Sequence, residues 1–175
     1  QEPGHSRFAG GAVCRGNSVV NTYLLVKTLH ILSSVLLVGT GCGTAYYLFF
    51  TNRSGSVDAM GVVSRLVVRA DWWFTAPTVI VQPVSGWWLA RAVGWPWDTP
   101  WLLLSILLYA LAGVCWLPVV WLQIRLKQMA QQAAARGETL PDRYWQYACY
   151  WERLGYPAFG AMLVIYFLMV FKPAL

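Results

Sequence analysis

Four long apolar runs, residues 23–50, 72–90, 101–124 and 154–171, make up half of this 175-residue chain and contain a single charged side chain, Lys27. A bilayer's hydrocarbon core is about 30 Å thick, and a helix crosses it with about 20 apolar residues. A helix also satisfies each backbone hydrogen bond within its own segment, which is the condition for a chain to lie in lipid. The runs therefore predict an all-α, polytopic membrane protein: a bundle of four transmembrane helices in one domain over residues 21–175.

Composition agrees with that reading. Hydrophobic residues form 58% of the chain and charged residues 11%, outside the balance of a soluble domain. The excess apolar surface is expected to meet the lipid bilayer, the first partner the sequence implies. Tryptophan and tyrosine gather near the ends of the runs, at Trp72, Trp73, Trp87, Trp88, Trp95, Trp97, Trp101, Tyr144, Trp145, Tyr150 and Trp151, as they do in interfacial belts. The net charge of +6 sets orientation and meets anionic headgroups; it does not mark a nucleic-acid binder. Cys14, Cys42, Cys115 and Cys149 show no C-x-x-C spacing, so neither a zinc site nor a disulfide framework is predicted. Residues 1–20, with four glycines and few large apolar side chains, read as a flexible N-terminal tail of native or non-native origin. His5 falls there and is discounted as a ligand.

Four crossings put both termini and the connection 91–100 on one side, and segments 51–71 and 123–153 on the other. The latter two, read as loops, hold Arg53, Arg65, Arg69, Arg125, Lys127, Arg136, Arg143 and Arg153, eight of the 13 basic residues. The positive-inside rule then predicts a bacterial inner-membrane protein with both loops cytoplasmic and both termini periplasmic; Arg7 and Arg15 in the tail pull the other way. Residues 124–136 are good helix formers and should carry the third helix past the membrane, with Gly137 as its cap. Residues 142–153 read as an interfacial stretch, and Lys172 is expected to snorkel from the short last span.

Helical spacing organises the polar residues within the runs. At 100° per residue, Lys27, His30, Ser33, Ser34, Gly41 and Thr44 share one arc of about 140°. The second run repeats the pattern with Asp71, Thr75, Thr78, Gln82, Ser85 and Gly86. There Pro77 and Pro83 remove backbone donors and should kink or locally open the helix. The third run offers Ser105, Tyr109, Gly113 and Trp116, and the fourth Gly155, Phe159, Met162, Tyr166 and Met169. Counting depth at 1.5 Å per residue brings His30, Gln82, Tyr109 and Tyr166 to one layer, roughly 8–12 Å below the outer boundary. This layer is the candidate site.

Its plainest role is structural, since interhelical hydrogen bonds in membranes contribute about 0.5–2 kcal/mol each. An ionisable residue in the membrane also stands as a functional hypothesis. His30 would serve as a haem or metal ligand, or handle protons, because a neutral imidazole is haem's usual protein ligand and helix bundles house cofactors. With one usable histidine, the sixth ligand would come from Met162, Met169, a lysine such as Lys27, or a second protomer in a homodimer. Met162, Met169 and Cys42 are also the soft ligands that copper(I) favours. No phosphate-cradling loop, nucleophile–base pair or intramembrane carboxylate pair occurs.

Two stretches carry a family resemblance. Tyr23-Leu-Leu-Val-Lys-Thr-Leu-His30-Ile-Leu-Ser-Ser and Leu154-Gly-Tyr-Pro-Ala-Phe, the latter continuing to Tyr166-Phe-Leu-Met-Val-Phe-Lys-Pro173, resemble the bacterial predicted integral membrane proteins grouped as domain of unknown function 2269. Ala70-Asp-Trp-Trp-Phe-Thr-Ala-Pro77 and Gln82-Pro-Val-Ser-Gly86 are similar to the same group. The resemblance covers residues 20–175 and implies no established activity. A more distant similarity is to the HemJ protoporphyrinogen oxidases, through Lys27-Thr-Leu-His30-Ile and the closing Lys172-Pro173. In that family the first-helix histidine is implicated in haem b binding, which carries over to His30; Ser105 stands where its third-helix lysine would fall. A looser likeness to CopD-type copper-resistance membrane proteins points to a metal.

Three functions follow as expectations. The first is a redox-associated membrane protein with a haem-binding or proton-handling site around His30 and a redox partner. The alternative is a non-catalytic scaffold or assembly partner, using small-residue packing faces and the basic helix 124–136. The third is a dimeric transporter of a small solute or copper, for which the proline-broken second run would supply the path.

Overall fold

Every described segment is helical or a short connection. The computed structural model describes residues 10–173, with side chains from residue 20 onward. Five α-helices follow one another: α1 (Gly10–Arg53), α2 (Val57–Ala70), α3 (Ala76–Val93), α4 (Pro100–Arg136) and α5 (Asp142–Phe171). A π-helical turn, Asp71–Thr75, joins α2 to α3. No strand occurs among the described residues. His5 and Arg7 of the expected tail lie outside the described residues.

Three of these helices, α1 from Val20, α4 and α5, are long and apolar enough to cross a membrane. The expectation of four spans is therefore met for three. The fourth candidate, α3, has 18 residues and carries Pro83, Gln82 and Arg91 within them, which dilutes its hydropathy. It packs along α1, while α4 pairs with α5 and α2 lies against α4.

The segment 51–71, expected as a loop, contains the helix α2. Its start is capped: the backbone N–H of Ala59 donates to Ser56 Oγ at 3.3 Å, and Asp58 sits in the first turn where the helix dipole favours an anion. Met60, Gly61, Ser64, Val67 and Val68 form its buried stripe, at the spacing of one helical face. Gly61 faces α4, where a Cβ would make ordinary contact with the Ala130 carbonyl oxygen at 3.5 Å. Residues 142–153, expected as an interfacial stretch, are the opening turns of α5 itself.

Chain punctuation explains the other boundaries. Gly137 ends α4 at φ 65°, its N–H returning to the carbonyls of Ala133 and Ala134; a left-handed cap of this kind favours glycine. The π turn has a similar local cause. Pro77 has no N–H and its ring would crowd the carbonyl four residues back, so a wider turn just ahead of it relieves the clash. Here the Ala76 N–H bonds to Asp71 O, five residues back.

The best-packed core lies where α2, the second half of α4 and the start of α5 meet the end of α1. Leu48, Met60, Leu126, Ala130 and Tyr144 are almost fully enclosed there. Within it Tyr144 Oη donates to Asn52 Oδ1 at 2.7 Å, which satisfies the one polar atom of a buried aromatic ring. Arg53 pairs with Glu152 at 3.1 Å on the flank of this core. At the other end a smaller core joins Ala90, Trp101, Leu102 and Leu168. The Lys172 ammonium caps it, 5.7 Å from the Trp95 ring and 5.8 Å from the Trp101 ring.

Candidate functional site

Two polar systems occupy the bundle, and they are separate. The first is the seam between α1 and α3. Gln82 Nε2 donates to the His30 carbonyl at 2.7 Å and to Ser33 Oγ at 2.6 Å. His30 Nδ1 lies 2.8 Å from Ser85 Oγ. The Ser85 hydroxyl also lies against the Val81 carbonyl, and which partner donates in the His30–Ser85 bond follows the imidazole tautomer. Gly86 leaves room for the ring: a Cβ added there would stand 3.3 Å from His30 Cε1.

The remaining residues of the expected layer are distributed around this seam. Tyr109 Oη donates to the Val79 carbonyl at 2.8 Å, tying α4 to α3. Tyr166 Oη donates to the Ser34 carbonyl at 3.0 Å, tying α5 to α1. Lys27 is exposed on α1, with its ammonium 6.0 Å from the Tyr23 ring. Met169 is exposed as well. Met162 and Cys42 line a cavity of which Met169 is not part. No three His, Cys, Asp or Glu side chains come together among the described residues.

That cavity is the second system, about 460 Å³ and open on one side, lined by α1, the π turn and start of α3, α4 and α5. Three glycines help to make it. Gly41, Gly113 and Gly155 come from three different helices and line it, and a Cβ added to any of them would meet no atom within 4 Å. Its mouth lies between α1 and α5. Tyr46, Phe50, Tyr156 and Phe159 line the cavity and are nevertheless exposed, so these rings form a rim. The gap is bracketed by the Arg53–Glu152 ion pair near one end and the Tyr166–Ser34 hydrogen bond near the other.

In this chamber sits a polar cluster outside the layer expected from the sequence, with Asp71 and Gln123 at the margins of the segments expected as loops. Asp71 is 6% exposed and Gln123 is 5% exposed. Asp71 Oδ1 accepts from Thr75 Oγ1 at 3.1 Å, and the side chains of Gln123 and Thr44 face the same carboxylate. No Lys, Arg or His is among the residues lining the chamber. Gln123 Oε1 is buried without a hydrogen-bond partner. Asp71 and Thr75 stand on the stripe that spacing identifies, which continues to Thr78, Gln82 and Ser85, but outside the layer expected as the site. Gln123 fell at the end of an apolar run whose helix continues well past it.

His30 lines neither this chamber nor the smaller cavity beside it between α2 and α4. A haem held by His30 Nε2 would stand at the α1–α3 seam beside Gly86, and not in the chamber.

Set against known families, residues 24–173 match the one described as "Predicted integral membrane protein (DUF2269)". No curated protein and no solved structure matches.

Proposed function

We propose a ligand-binding role in the membrane for this chain, which belongs to that family of predicted integral membrane proteins: its chamber takes an apolar or amphiphilic small molecule from the bilayer. The observation that carries the reading is the chamber itself, walled by every long helix and rimmed by exposed aromatic rings between α1 and α5. Sites for small molecules are concave and mostly apolar with a few convergent polar groups, and such sites in bundles lie between helices. In this reading α3 is a fourth membrane-embedded helix. Its outer face exposes Ile80, Val84 and Trp87, which lipid would cover, and its polar stripe turns to α1. The basic residues of α2, the end of α4 and the start of α5 then face the cytoplasm of a bacterial inner membrane.

The test fills the chamber without touching its walls' packing. Gly41→Leu and Gly155→Leu place side chains into open space. In nanodiscs, a solvatochromic apolar dye bound by the wild type with saturable blue-shifted emission should lose that saturable component in either variant. Unchanged binding in both variants would remove the reading.

A second reading keeps His30 as a haem ligand in a redox-associated protein. It is favoured by the Nδ1–Ser85 hydrogen bond, the kind of outer partner that fixes the tautomer of a ligating imidazole. A Soret band with sharp reduced α and β bands, lost in His30→Ala, supports it; a featureless spectrum of protein taken gently from its native membrane goes against it.

A further inference from the structure

The polar cluster in the chamber holds the Asp71 carboxyl, met by the side chains of Thr75, Gln123 and Thr44, and no cation. The Thr75 proton goes to Asp71 Oδ1. The Thr44 hydroxyl donates within its own helix, to the carbonyls of Thr40 and Gly41. Glu152 also lines the chamber, but it is already paired with Arg53. That leaves Asp71 with no cation among the chamber-lining residues, and Gln123 Oε1 with no partner at all. A buried carboxylate without a counter-charge is costly, and so is an orphaned amide oxygen. A cation that carries several N–H donors relieves both at once.

We infer that the chamber binds an amphiphile with a primary ammonium head, seated between Asp71 and Gln123, with its alkyl tail along the apolar walls. An ammonium offers three donors, one for the carboxylate and one for Gln123 Oε1. The tail has room, because the lining on α4 runs from Tyr109 to Gln123, about 21 Å along the helix. Ala112, Gly113, Trp116 and Val119 lie between those two residues and offer an almost wholly apolar track. The aromatic rim between α1 and α5 lets the molecule enter sideways from lipid. This inference rests on the ligand-binding reading above and names the chemical class of its ligand.

The experiment titrates the full chain in phosphatidylcholine nanodiscs, whose lipid has no N–H donor, with dodecylamine and with dodecanol. Bound ligand is counted by native mass spectrometry against empty nanodiscs. Wild type should prefer the amine by about tenfold or more, the scale of one charge-assisted hydrogen bond set. Asp71→Asn should abolish the preference while dodecanol binding stays. Gln123→Leu should reduce the preference by a smaller factor, and serves alone if the Asp71 variant fails to fold. Gly41→Leu should weaken both ligands alike. Equal binding of amine and alcohol by wild type, or an intact preference in the Asp71 or Gln123 variant, overturns the ammonium assignment and leaves the chamber standing. Failure of both ligands to bind, or indifference of both to Gly41→Leu, overturns the chamber reading together with it.

Discussion

Thr75 Oγ1 donates to Asp71 Oδ1 at 3.1 Å across the π turn, so its hydroxyl is committed to the acid that lines the chamber. The pair is local, one helical turn apart, and holds the carboxylate in one orientation. Thr75→Val keeps the shape and removes the donor. A buried charged acceptor that loses a partner costs about 1–3 kcal/mol. The variant should unfold at lower temperature in detergent than wild type, and an unchanged midpoint would show that Thr75 does not hold Asp71.

Gln82 is the bridge between α1 and α3, reaching both the His30 carbonyl and Ser33 Oγ. Gln82→Leu removes two interhelical bonds, each worth about 0.5–2 kcal/mol in a membrane setting. Resistance to unfolding by sodium dodecyl sulfate should fall by about 1–4 kcal/mol on the same scale. Faster amide exchange around Ser33 should accompany it. Wild-type behaviour in both measurements would mean the seam is held by apolar packing alone.

These residues also show how much of the site is legible in the sequence. The polar stripes read from spacing alone include Gly41, Thr44, Asp71, Thr75, Tyr109, Gly113, Trp116, Gly155, Phe159 and Met162, and all of these line the chamber. Helical periodicity carries that information because a side chain costly in lipid must turn inward. What the spacing does not carry is the depth at which facing stripes separate. The stripes of α1 and α3 close on each other at His30 and Gln82, while those of α1, α4 and α5 stand apart around the chamber. Counting depth from span ends puts His30, Gln82, Tyr109 and Tyr166 in one layer; in the structure His30 and Gln82 meet, and each tyrosine ties to a neighbouring carbonyl.

The miss at α2 has a different cause. Ser54, Gly55 and Ser56 punctuate the chain after α1, and Arg65 and Arg69 make residues 57–71 read as a charged loop. The stripe Met60, Ser64, Val67 and Val68 is present at helical spacing, interrupted by small residues that suit close packing on α4. The helix formers of residues 124–136 and the cap at Gly137 are legible, and α4 does run to Arg136, but the apolar run ends near residue 124 and leaves Gln123 at its margin.

Tyr144 ties the start of α5 to the end of α1 through Asn52 Oδ1, both side chains being buried. Tyr144→Phe preserves the ring and leaves Asn52 Oδ1 without its donor. The expected loss is about 1–3 kcal/mol, read as a lower melting temperature, with limited proteolysis rising in the Ser54–Ser56 turn. Equal stability of Tyr144→Phe and wild type would contradict the role given to this bond.

Gly86 sets the space beside the imidazole. A Cβ at 3.3 Å from His30 Cε1 is tight, so Gly86→Ala should shift the ring and Gly86→Val should displace it. The nitrogen-15 shifts of the His30 side chain should move in the alanine variant while the overall helical content holds. Identical His30 shifts would mean the ring does not rest on Gly86.

Photolabelling tests the chamber most directly. An alkylamine bearing a terminal diazirine, irradiated with the full chain in nanodiscs, should label residues on the chamber walls of α1, α4 and α5, around Gly41, Gly113 and Gly155. Gly41→Leu should suppress that labelling and leave background labelling of exposed Leu25, Ile80 and Val170 unchanged. Labels confined to those outward faces, with none on the chamber walls, would contradict the account.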